Sequence, residues 1–298
     1  MLTGILFLVL TGIVWVGPGA VISLSAKKNL SLDFIQGMSA LIIILLGVIM
    51  YFAASPKLHP VAWIALPVSG VINYLCFIVA GKAMKKGPSG LTWAIMQSSF
   101  VMPFLMGVLF FDVPCSPLRL TGLGVMLIAM YLMGVWGNTG AEDDRSGHTG
   151  KLVWLAYTLL AFVVAGLSQC SFNLPSYFIK DEGGGFANLF FRAGINSAGG
   201  LAVFLCSPLW NKNSFNYKGT FASIALLTVC TLCALSTMFC GLDILAACGA
   251  GAIGYPISLG SCIAAFLVYT SWRLKEKLSP PAMIGVGLCF LGIVLLAL

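Results

Sequence analysis

Ten stretches of this chain are dominated by apolar residues, near 2–24, 33–53, 61–82, 89–111, 117–136, 152–178, 186–208, 220–244, 251–271 and 280–298. Each is close to the roughly 20 apolar residues that a helix needs to cross a hydrocarbon core. Runs such as 41–47 show no alternation of apolar and polar positions, so the period-two pattern of a membrane β-barrel is excluded. The pattern predicts an all-α polytopic membrane protein with ten transmembrane helices. The hydrophilic stretch 137–151, with Glu142, Asp143, Asp144, Arg145 and His148, divides five helices from five. It reads as a cytoplasmic linker between a first five-helix repeat, 1–136, and a second, 152–298.

Internal similarity supports that division. Pro117, Gly122, Gly124 and Ala129 recur 163 positions later as Pro280, Gly285, Gly287 and Gly292. Ala83 and Ser98 fall on Ala246 and Ser261 at the same offset. A shared P-x4-G-x-G-x4-small pattern that opens two apolar segments is the trace of a duplication. Because each copy holds an odd number of spans, the two lie upside down to each other in a bilayer, the plan of many secondary transporters. A 5+5 inverted repeat is therefore expected. The small residues on the fifth and tenth helices let those helices meet neighbours closely, and would also suit a homodimer seam.

Composition agrees: 59% of residues are hydrophobic and 8% charged, with a mean hydropathy of +1.01. Charge then suggests orientation, because Lys and Arg are retained on the cytoplasmic side. Lys27, Lys28, Lys82, Lys85, Lys86, Arg145, Lys151, Lys212, Lys218, Arg273, Lys275 and Lys277 fall at one set of loops. Only Lys57, Arg119 and Lys180 fall at the other, which places both termini outside. Loop retention accounts for the net charge of +7, so no nucleic-acid partner is needed. The first residues carry no Lys or Arg before a long apolar run, so a cleaved leader is not expected.

Catalytic chemistry finds little support. Most of the ten cysteines lie inside apolar segments, where a free thiol behaves as a small hydrophobe. Cys230-x2-Cys233 has metal-ligand spacing but no second Cys or His pair to complete a site. The two histidines, His59 and His148, lie in loops, and no nucleotide-binding or hydrolase motif is present. No enzyme activity, metal or cofactor is expected, and uphill transport would draw on an ion or solute gradient.

The informative residues are polar or aromatic ones at bilayer depth, where an unpaired amide or charge is costly. Candidates for solute contact are Trp15, Asn73, Tyr74, Trp93, Gln97, Gln169, Asn173, Arg192, Asn196, Tyr255, Ser258 and Ser261. Three pairs, Trp93/Gln97, Gln169/Asn173 and Arg192/Asn196, are spaced i, i+4 and should share a helix face. The alternative for each amide is a hydrogen bond to a neighbouring helix. Trp63 and Trp154, near helix starts, fit an interfacial belt. Gly17-Pro18-Gly19 either kinks the first helix or gates a cavity beside it.

The segment Leu274-Lys275-Glu276-Lys277-Leu278-Ser279-Pro280, followed by Gly285-Val286-Gly287 and Gly292, resembles the ten-helix, EamA-like carriers of the drug/metabolite transporter superfamily. In that superfamily a Glu and a turn lead into the last helix of each repeat. The first copy, Phe110 to Pro114, departs from it, with Asp112 in place of the Glu and one position off. The resemblance spans the chain and implies alternating access around a central cavity in a bacterial inner membrane, without naming a solute. Gly70-Val71-Ile72-Asn73-Tyr74 and Ala26-Lys27-Lys28 look similar to the L-rhamnose/proton symporter branch. The superfamily's larger exporters differ in keeping both termini in the cytoplasm.

Amides and indoles with no mid-depth carboxylate suit a neutral, sugar-like solute, whose hydroxyls can be paired and whose apolar face can stack on a ring. A rival is an amino acid or other anion held by the Arg192 fork, unless that side chain snorkels outward to Lys180-Asp181-Glu182. A cation would need a cage of Trp15, Trp93 and Tyr255. Asp243, expected to be the only acidic residue within a helix, is either hydrated at a helix end or the group that couples transport to protons. From another class, a membrane scaffold or receptor would need none of these polar residues.

Overall fold

The computed structural model describes residues 1–136, 148–178, 186–207, 218–273 and 279–298. Its helices are α1 (Leu2–Val14), α2 (Val16–Lys28), α3 (Leu32–Ala54), α4 (Pro60–Met84), α5 (Ser89–Gln97), α6 (Val101–Phe110), α7 (Pro117–Trp136), α8 (His148–Phe178), α9 (Phe186–Cys206), α10 (Lys218–Ala247), α11 (Gly254–Arg273) and α12 (Pro280–Ala297). Among the described residues there is no strand. Eight helical runs are long and apolar enough to cross a membrane, counting α1 with α2 and α5 with α6. Two shorter apolar helices lie within Pro117–Ala129 and Met283–Leu296. The protein is an all-α, polytopic integral membrane protein. The acidic part of the linker, the Lys180-Asp181-Glu182 cluster and the signature at 274–278 lie outside the described residues.

Two segments expected as single helices are interrupted, and proline explains both. Pro18 has no N–H for the carbonyl of Val14, and α1 ends at that residue, with Trp15 joining it to α2. Pro103 likewise has no N–H for the carbonyl of Ser99, which sits in the 3-10 turn Ser98–Phe100 between α5 and α6. Helix ends carry their own signals. The Ser31 hydroxyl accepts from the Phe34 N–H at 3.3 Å, and His59 Nδ1 accepts from the Val61 N–H at 3.3 Å ahead of Pro60.

The principal packing pairs are α3 with α9, α4 with both α8 and α9, α1 with α10 and α11, α5 and α6 with α8, and α7 with α12. At the centre lies α11, with 89% of its apolar window buried, whereas α3 has 28% and offers Leu41, Leu45, Ile49 and Phe52 to the surroundings. A helix that deep cannot be bulky on every side, which fits the run Ser258, Gly260, Ser261 and Ala264.

Closest approach between backbones occurs at α4 and α9. A Cβ on Gly70 would collide with the Asn196 carbonyl, and one on Gly199 with the Pro67 carbonyl. On α7 and α12, Gly122 and Gly292 serve a contact within the chain, since a Cβ on Gly122 would stand 3.0 Å from the Gly292 carbonyl. That contact removes Gly122 and Gly292 from the expected dimer seam. Gly124 and Gly287 face open space.

Gly70→Ala should therefore destabilise the protein by about 1–3 kcal/mol or more, the range for overpacking a tight contact. Gly124→Ala should change stability by less than about 0.5 kcal/mol. Thermal unfolding of the two variants in one detergent separates these outcomes, and equal melting temperatures would contradict the α4–α9 contact.

Candidate functional site

Near the middle of the bundle a cavity lies between α4, α5, α8, α9, α10, α11 and the α1–α2 junction. Six of the sequence candidates line it: Trp15, Asn73, Gln97, Gln169, Asn196 and Tyr255. The chain break at Trp15 is what sets that indole into the wall. Its ring meets Phe77 edge-on, with centroids 6.2 Å apart.

The amides are oriented by the protein. Asn196 Nδ2 donates to the Leu66 carbonyl at 3.1 Å, and Gln97 Nε2 donates to Cys262 Sγ at 3.7 Å. Each bond uses the NH2 end of the amide. Gln169 Oε1 is buried without a partner. An orphaned buried acceptor costs about 1–3 kcal/mol.

The other candidates stand elsewhere. Trp93 is fully buried between α5 and α11, with Nε1 donating to Cys262 Sγ at 3.3 Å and its ring 5.2 Å from that of Phe266. The expected cage of Trp15, Trp93 and Tyr255 is not assembled, because Trp93 is absent from the cavity wall. Tyr74 points away, its hydroxyl 2.6 Å from Asp33 Oδ1. Asp33 is itself buried in the first turn of α3, which corrects the expectation that Asp243 alone is acidic within a helix. Asn173 Nδ2 donates to the Tyr177 hydroxyl at 3.3 Å. Ser258 and Ser261 sit where α11 crosses Gly12 of α1, and the Ser261 hydroxyl returns to the Ile257 carbonyl at 2.8 Å. Gly17 and Gly19 are close-packed, on Cys230 and on Phe266 with Trp93. Trp154 is buried with Nε1 on Thr92 Oγ1 at 2.9 Å, so it is no belt residue, whereas Trp63 is 52% exposed as a belt residue would be.

Arg192 takes neither role foreseen for it. Its guanidinium is buried, forms an ion pair with Asp243 and lies 4.0 Å above the ring of Phe239. Nη2 reaches Asp243 Oδ1 at 3.2 Å and Ser176 Oγ at 3.3 Å, and the Ser176 hydroxyl donates to Asp243 Oδ1 at 2.7 Å. A fork already engaged with a carboxylate is not free for a second one.

Sequence reasoning missed Ser69 and Ser168, which line the cavity and exchange bonds to each other's carbonyls at 3.0 Å where α4 crosses α8. Hydroxyls at mid-helix in apolar segments were the available signal. It also missed the cavity residues Phe172 and Met238, which nothing in the apolar pattern distinguishes from lipid-facing neighbours. Among the described residues no group of three His, Cys, Asp or Glu side chains could hold a metal ion.

No protein-family model matches the chain, and no curated protein matches it. A solved structure described only as "Crystal structure of protein" superposes with a TM-score of 0.65 at 12% identity, over 97% of this chain and 94% of its own. That likeness concerns the fold alone.

Because Tyr74 supports Asp33 and not the cavity, Tyr74→Phe should lower stability by about 1–3 kcal/mol, the cost of a buried acceptor losing its donor. Ligand-induced thermal shifts should stay as in the wild type. A variant with normal stability and weakened ligand shifts would return Tyr74 to the binding site.

Proposed function

We propose that the protein is a secondary-active, alternating-access carrier of a small polar solute, a neutral sugar-like molecule in preference to an anion. The carrying observation is the mid-bundle cavity lined by the amide residues Asn73, Gln97, Gln169 and Asn196 together with the aromatic residues Trp15 and Tyr255. Amides pair the hydroxyl groups of a polyol, and a ring accepts its apolar face. The engagement of Arg192 by Asp243 weighs against a carboxylate ligand.

Ten spanning helices in an inverted 5+5 arrangement are part of the same reading, with α7 and α12 taken as spans. The packing supports it. Exchanging the halves turns α1 on α10 into α8 on α4, and α1 on α11 into α8 on α5 and α6. The pairs α3–α9 and α7–α12 exchange with themselves. A hydroxyl bridge occurs at both corresponding crossings, Thr11 to Thr237 at 2.7 Å and Ser69 with Ser168 at 3.2 Å. This is the plan that the resemblance to the drug/metabolite transporter superfamily implies. The Lys and Arg distribution further favours both termini outside.

Asp243 is proposed as the acid that couples flux to protons. It remains 21% exposed while its partner Arg192 is fully buried.

A thermal-shift screen of the purified protein against neutral sugars, amino acids, organic anions and quaternary amines tests the reading, since a ligand that binds only the folded state raises the melting temperature. A neutral sugar should give the shift, and Gln97→Ala or Asn73→Ala should weaken its affinity by about 5- to 150-fold, equivalent to about 1–3 kcal/mol. Shifts with carboxylated solutes alone would overturn the neutral-solute assignment. For coupling, Asp243→Asn should flatten the pH dependence of flux in vesicles, and a retained pH dependence would remove Asp243 from that role.

A further inference from the structure

We propose that Arg192, Asp243 and Ser176 form a latch that closes one end of the cavity, and that opening this end requires the Arg192–Asp243 pair to separate. Each of the three helices carries one residue of the cavity wall and, about one turn along, one residue of the cluster. On α8 these are Phe172 and Ser176, on α9 Asn196 and Arg192, and on α10 Met238 and Asp243.

The wall and the cluster are joined by rings in contact. Phe172 faces the cavity and stacks on Phe239, with centroids 4.4 Å apart and planes 11° from parallel. The guanidinium of Arg192 rests on the same Phe239 ring, 4.0 Å from its centroid. Moving α8 away from α10 to admit a solute would unstack Phe172 from Phe239. The same movement would pull Ser176 Oγ off Asp243 Oδ1, now 2.7 Å away, and moving α9 away from α10 as this end opens would part Arg192 from Asp243 and lift the guanidinium off the Phe239 ring. Arg192 Nε is buried with no partner, so the cluster already has one donor unused and is held mainly by the ion pair. Such an arrangement has two discrete states, joined or parted, as a gate needs.

The proposal rests on the carrier reading for its purpose, but its test needs no solute. Cys76 lines the cavity and is buried, and Cys262 is equally buried but does not line it. Alkylation of the purified protein with iodoacetamide, located by peptide mass spectrometry, therefore reports cavity opening at Cys76 and general loosening at Cys262. In Asp243→Asn the rate at Cys76 should rise by roughly tenfold or more while Cys262 stays slow, because the closed state loses its ion pair. The double variant Arg192→Gln with Asp243→Asn, which leaves no buried charge unpaired, should show the same selective rise. Ser176→Ala, with the ion pair intact, should raise it much less.

Wild-type labelling of Cys76 in folded Asp243→Asn or in the double variant would overturn the latch, and so would a joint rise at Cys76 and Cys262. Should neither ion-pair variant fold, the pair is structural and the proposal falls. A solute screen that finds no ligand would sink the carrier reading and leave the Cys76 result standing as a property of the cavity.

Discussion

A polar group at bilayer depth must find its partner inside the protein, because hydrocarbon offers none. The structure does so at several crossings of its helices. Ser69 and Ser168 exchange bonds, Thr11 meets Thr237, Trp154 meets Thr92, Tyr74 reaches Asp33, and Arg192 meets Asp243. These pairs join α4 to α8, α1 to α10, α8 to α5, α4 to α3 and α9 to α10, so they fix helix register where apolar packing alone would allow sliding. Gln169, whose Oε1 is buried without a partner, lines the cavity together with Gln97 and Asn196, whose NH2 ends are already committed.

Prolines convert this rule into a cavity. A break in a helix frees a carbonyl, which is tolerated at depth only where protein or a wetted space can take it up. Both interrupted runs do this close to the cavity. Trp15 at the α1–α2 junction and Gln97 at the end of α5 are wall residues, and each sits beside the turn that interrupts its helix. The enclosure of α11 adds the opposite wall, and its Cys262 holds both Trp93 and the Gln97 amide in place. Solute specificity on this account depends on residues that the solute does not touch.

Much of this was legible in the chain. Apolar runs located the helices to within a few residues, and the bar on unpaired amides at depth pointed to Asn73, Gln97, Gln169 and Asn196. The rule that residues four apart share a face was too coarse. In each of three pairs one member lines the cavity while the other is engaged elsewhere, Trp93 and Arg192 with neighbouring helices and Asn173 with Tyr177 on its own helix, since four residues at 100° each fall 40° beyond a full turn. Gln97 lines the cavity and Trp93 backs it, and the same holds for Gln169 with Asn173 and for Asn196 with Arg192. The Arg192–Asp243 pair was illegible because it joins helices 51 residues apart, and only tertiary packing brings them together. The break before α6 was visible in principle, since Pro103 lies inside an otherwise unbroken apolar run.

The most direct test of the central claim is counterflow. Liposomes carrying the purified protein would be loaded with a mixture of unlabelled neutral sugars and diluted into a trace of the same sugars in labelled form. A carrier with a central neutral-solute site predicts transient, saturable accumulation of label that protein-free liposomes do not show. Absence of accumulation for every neutral sugar, from protein that keeps its wild-type melting transition, would contradict the account.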